Sequence, residues 1–103
     1  MDKKTVLAII SDFRKALESA GIRPDKLILF GSFATGGYRE GSDIDIVVIS
    51  QDFRDKNYWE RIDVLASAIY QIFEPIEAVA MTPDEWEAGE SLIVDYAKDG
   101  EVV

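Results

Sequence analysis

The sequence predicts an α+β fold, a small β-sheet with α-helices packed on it. Two amphipathic stretches of about 17 residues carry helical spacing, and short Ile/Val/Leu-rich runs between them read as strands. At 103 residues, 48% hydrophobic and 30% charged, the chain is long enough to bury one core and too apolar to remain disordered. The expectation is a single domain spanning 1–103.

Each element has its own justification. Residues 3–20 place Val6, Ile9, Ile10, Phe13, Leu17 and Ala20 on one helical face, with Gly21 to end the helix and Pro24 to prevent its resumption. Leu27-Ile28-Leu29-Phe30 reads as a short buried strand, and Asp43 to Ser50 as a second one. A helix over about 57–73 is expected to bury Trp59, Ile62, Leu65, Ala66, Ile69, Ile72 and Phe73. Pro75 breaks it, and Ile76 to Ala80 makes a third strand. Thr82-Pro83-Asp84-Glu85 has the capping-box pattern, opening a last helix with Trp86, Ile93, Tyr96 and Ala97 inward and Gly100 at its end. Glu101-Val102-Val103 starts another strand. The order is α-β-(turn or short α)-β-α-β-α.

Composition excludes much chemistry. There is no Cys and no His, hence no disulfide, no thiolate zinc site, no cysteine nucleophile and no Ser-His-Asp triad. Any metal must be held by oxygen, which selects Mg²⁺, Mn²⁺ or Ca²⁺. Residues 1–40 carry seven bases and five acids, whereas 41–103 carry four bases and fifteen acids. That balance argues against long nucleic acid and suits divalent cations or a basic protein partner. The longest apolar run, Val6 to Ile10, is too short for a membrane span or a signal peptide, so a cytoplasmic location is expected.

The chemistry concentrates between Leu27 and Val48. Gly31 directly follows a strand, where a missing side chain lets backbone approach a ligand. Ser32 stands where a short helix could begin, so its hydroxyl and the next N–H groups could hold a phosphate. Asp43 and Asp45 are two apart on a strand and share one side, roughly 6–7 Å from each other. Two such carboxylates can straddle a divalent pair for in-line phosphoryl transfer, although Asp-x-Asp on an alternating strand also suits a solvated face. Ile44 between them should point into the core, and Ser42 can fix the turn before the strand.

Phe30, Gly31, Ser32, Gly36, Ser42, Asp43, Ile44, Asp45 and Ile46 reproduce the spacing of a known pattern. The stretch resembles the nucleotidyltransferase superfamily of DNA polymerase beta, specifically its minimal nucleotidyltransferase branch. Ala34 and Arg39 match commonly seen positions of that family. The resemblance implies a small mixed sheet of the polymerase-beta-like core, with ATP as co-substrate and Mg²⁺ or Mn²⁺ as cofactor. It implies catalytic and metal roles for Asp43 and Asp45, and phosphate contacts from Gly31, Ser32, Arg39 and Ser42. Glu77 stands where the family usually carries a third carboxylate, normally Asp, and is either the third metal ligand or an exposed edge-strand charge. Thr35 replaces a frequent Arg, for which Lys26 or Arg39 could substitute.

Two functions follow from the resemblance. One is transfer of NMP, AMP above all, to a hydroxyl of a partner protein, as the antitoxin of a HEPN-domain toxin. The other is a non-catalytic module that neutralises the HEPN protein by complex formation. A small-molecule transferase is disfavoured because the core consumes the chain. Tyr58, Trp59 and Trp86 are expected in the core or facing a partner rather than stacking on a base.

Overall fold

The structure is a computed structural model covering residues 1–103. Its elements run α1 (Lys3–Ser19), β1 (Lys26–Phe30), α2 (Ser32–Thr35), β2 (Ile44–Ile49), a 3₁₀ turn (Gln51–Phe53), α3 (Tyr58–Ile72), β3 (Ile76–Met81), α4 (Pro83–Ala88), α5 (Leu92–Ala97) and β4 (Glu101–Val102). The strands form one mixed sheet in the order β3-β2-β1-β4. Strand β1 is antiparallel to β2 and β4, and β2 runs parallel to β3 through the α3 crossover.

Helices cover both sheet faces. The larger core joins α1 (Val6, Phe13, Leu17) and α3 (Leu65, Ala68) to Leu27, Leu29, Ile44, Ile46 and Val48. On the other face, Val94 and Ala97 of α5 pack on Ile28, Val47, Ile49 and Met81. Alternation along β2 therefore sends Ile44, Ile46 and Val48 to one core and Val47 and Ile49 to the other. No helix is long and apolar enough to cross a membrane.

Local chemistry sets the helix ends. The Asp2 carboxylate accepts the Thr5 amide at 2.8 Å, and Asn57 with Glu60 closes a capping box on α3. The Thr82–Glu85 box and the Pro83 start read from sequence are both present.

Three expectations need correction. The last helix is two helices: Gly89 caps α4 in the left-handed conformation (φ 66°), and Ser91 accepts the Ile93 amide to start α5. Tyr96, expected inward, is 72% exposed, because the shortened α5 turns only Val94 and Ala97 fully into the core. Helix α3 keeps Leu65, Ile69 and Ile72 of the expected face on the core and turns the rest of that face outward. It buries Leu65 and Ala68, whereas Trp59, Ile62, Ala66 and Phe73 face solvent.

Candidate functional site

The C-terminal end of β1 and the N-terminal ends of β2 and β3 meet in one row. Phe30 pairs with Asp45, and Asp45 pairs with Glu77. Directly paired residues share a sheet face, so the Asp45 and Glu77 carboxylates are neighbours on the α4/α5 side. That side is covered only over Ile28, Val47, Ile49 and Met81, which leaves the acidic end open. Asp43 lies just before β2 rather than within it, is exposed, and is two residues from Asp45. Buried Ile44 between them anchors this end of the strand in the large core.

Gly31 is built into this site. Its backbone (φ 73°, ψ −154°) is a conformation that only glycine adopts without strain. A Cβ here would overlap Asp45 Oδ2 and lie 3.2 Å from Asp45 Cγ. The chain leaving β1 thus passes directly against the Asp45 carboxylate. It then enters α2, whose first amides have no acceptor inside the helix. The contact was not legible in the sequence, where the only signal was a glycine immediately after a strand.

The charges are mutually repulsive. Burial, the Glu77 charge and its hydrogen bond, and the Asp43 charge raise the Asp45 pKa from 3.8 to about 6. Without a counter-charge, the neighbouring carboxylates disfavour the ionised form of Asp45.

The loop from α2 to β2 is held by Ser42. Its hydroxyl accepts the Arg39 amide at 3.0 Å, and its own amide donates to the Arg39 carbonyl at 3.0 Å. The turn role read for Ser42 is therefore present. Arg39 is exposed, forms no ion pair and stands four residues before Asp43. Lys26 cannot substitute for the missing Arg: it pairs with Ile49 at the opposite end of β1, roughly 13 Å from Phe30 along the strand.

Oxygen donors of this kind suit Mg²⁺ or Mn²⁺. No three acidic side chains converge into a ready ligand cage. Mg²⁺ is normally held by one or two carboxylates, with waters and substrate phosphates completing its shell. The open row of Asp43, Asp45 and Glu77 fits that shared mode of binding rather than a dedicated protein cage. The largest cavity, about 510 Å³, lies elsewhere, between α3 and the outer edge of β3, and is lined by Tyr58, Ile62 and Leu65 with Ala78, Val79 and Ala80. Its polar lining is Lys56, Asn57, Arg61 and Glu85, of which Arg61 is already bound to Glu85 at 2.7 Å, and we place the chemistry at the carboxylate row, where two acidic side chains are direct neighbours. Tyr58 and Trp59 are exposed, and Trp86 is half-buried and packed against the small core.

Comparison with known proteins agrees with this geometry. The nucleotidyltransferase domain profile matches residues 10–95. A protein of Methanocaldococcus jannaschii, named a putative protein adenylyltransferase, is 32% identical over 63 residues, which is 60% of this chain and 64% of that protein. The match therefore spans just under two-thirds of the relative's length. The fold superposes on the crystal structure of a putative nucleotidyltransferase from Sulfolobus solfataricus with a TM-score of 0.73, covering 97% of this chain and 80% of that one at 19% identity. With glycine against carboxylate at the end of β1 and the profile matched across both core strands, the chain belongs to the nucleotidyltransferase domain family.

Proposed function

We propose that residues 1–103 act as one Mg²⁺-dependent nucleotidyltransferase domain that moves AMP from ATP to a hydroxyl of a partner protein. The single observation that carries this reading is the row Gly31–Asp45–Glu77, where a carboxylate with raised pKa lies against a glycine that no other residue can replace.

The chain's own residues have distinct tasks. The Gly31 and Ser32 backbone and the Ser32 hydroxyl receive the terminal phosphates, with Arg39 adding positive charge and Ser42 fixing the loop that carries it. Asp43, Asp45 and Glu77 would hold the divalent ion, which when bound neutralises phosphate charge. The acceptor oxygen attacks the α-phosphorus, the bond to the bridging oxygen breaks, and pyrophosphate departs with the released electron pair. The hydroxyl proton passes to a carboxylate of the Asp45–Glu77 pair or to water. No imidazole is required, since positioning and charge neutralisation supply most of the catalysis.

The absence of a closed pocket around the carboxylates favours an acceptor that brings its own wall, which is a protein side chain rather than a free small molecule. The adenylyltransferase name of the M. jannaschii relative supports the same acceptor class. Within this reading the partner is a HEPN-domain toxin, the chain is its antitoxin, and ATP as donor sets the reaction in the cytoplasm. The second reading, a module that silences the toxin by binding alone, is favoured by Glu77, which is one methylene longer than the Asp usual at that place in the family.

The test is label transfer. With Mg²⁺ and a HEPN-domain protein as acceptor, ATP labelled in the α-phosphate should label that protein, and ATP labelled in the γ-phosphate should not. An unlabelled but inhibited partner would leave only the binding module.

A further inference from the structure

Helix α3 has two apolar sides. Leu65 and Ala68 face the sheet, while Trp59 (70% exposed), Ile62 (36%), Tyr70 (76%) and Phe73 (82%) face water with exposed Ala66 between them. At 100° per residue these positions fall within one arc of the helix. The three aromatics alone expose on the order of 400 Å², in the upper range of patches on monomeric proteins. The last of them is also strained. Phe73 caps α3 at φ 59°, a left-handed position that glycine usually fills and that costs a bulky residue about 1–2 kcal/mol. Its ring is largely exposed and meets Tyr70 edge to face with centroids 6.0 Å apart, so little burial offsets that cost.

The spacing of 59, 62, 66, 70 and 73 fits the seam along which a second helix packs. One border is acidic: Asp63 flanks the seam along the helix and Glu74 follows its C-terminal end, whereas Tyr58 and Ile69 form the other border. The one base of α3, Arg61, lies on the opposite side and is bound to Glu85 at 2.7 Å. A second copy would bring a second formal net charge of −9 against the first, which is repulsive. A foreign helix flanked by Lys and Arg would be attracted instead.

We propose that the exposed face of α3 docks an amphipathic helix of a different, basic protein. The seam lies on the α1/α3 side of the sheet, opposite the face that carries Asp45 and Glu77. That this partner is also the acceptor rests on the function proposed above; the docking itself does not.

Calorimetry with three synthetic peptides, each about five turns long, tests the docking. One has a leucine seam flanked by Lys, one the same seam flanked by Glu, and one the Lys composition scrambled off a single face. The Lys-flanked seam should bind at least about tenfold more tightly than either control, and Tyr70→Glu should weaken it by about the same factor. Asp45→Asn should leave it unchanged, so a failure of nucleotide transfer and a failure of docking are told apart. Equal binding of scrambled and seamed Lys peptides, or indifference to Tyr70→Glu, would overturn the proposal. So would a wild-type dimer in sedimentation that Tyr70→Glu converts to monomer, which would name a second copy as the occupant.

Discussion

Replacing Asp45 with Asn should stabilise the metal-free protein. The Asp45 carboxyl titrates near 6 instead of 3.8, because burial and then Glu77 disfavour its charged form. A folded-state pKa raised above the unfolded one means that the contribution is complete below about 3.8 and is lost as pH rises through about 6. A shift of about two units at about 1.4 kcal/mol each sets a ceiling near 3 kcal/mol. Water still reaches this half-buried carboxylate, and screening reduces the expected penalty to about 1 kcal/mol. Asn keeps the shape and cannot ionise, so at about pH 7.5 with chelator present Asp45→Asn should melt several degrees above wild type, roughly 4–8 °C per kcal/mol in a domain this small. At about pH 3.5 the two should coincide. Mg²⁺ should raise wild type toward the variant and leave the variant unmoved. A variant equal to or less stable than wild type at neutral pH would refute the claim that the carboxylates strain one another.

Gly31→Ala should cost about 2 kcal/mol or more, seen as a lower urea midpoint, because it combines a glycine-only backbone with a collision against Asp45. Glu77→Gln should depress label transfer far more than Mg-ATP binding, while Glu77→Asp retains transfer; unchanged transfer in Glu77→Gln would make this residue a surface charge. Phe73→Gly should stabilise the fold by up to about 1 kcal/mol by relieving the left-handed strain, while weakening the Lys-flanked peptide. Stability and docking moving together in that variant would contradict the role given to Phe73.

What the sequence disclosed was what is local. Gly31-Ser32, Asp43-x-Asp45 and the Thr82–Glu85 box each act within a few residues, so their chemistry is visible in one dimension. The pairing of Asp45 with Glu77 was not visible as geometry, since it depends on parallel register across the α3 crossover. Helix α3 shows a different limit. Apolar residues occupy two of its sides, and periodicity alone cannot say which one the sheet covers; the smaller Leu65–Ala68 side wins, where Ala68 permits close approach. Gly89 is not decisive in the sequence, because the capping box upstream and Gly100 downstream frame a single helix equally well.

Titration of Mg-ATP into wild type, Asp43→Asn and Asp45→Asn, followed by calorimetry with and without the metal, bears most directly on the carboxylate row. Wild type should bind ATP with Mg²⁺ and only weakly without it, and both variants should remain folded while losing the metal-dependent part. Variants that bind Mg-ATP as wild type does would show that Asp43 and Asp45 do not hold the ion, and the proposed site would be wrong.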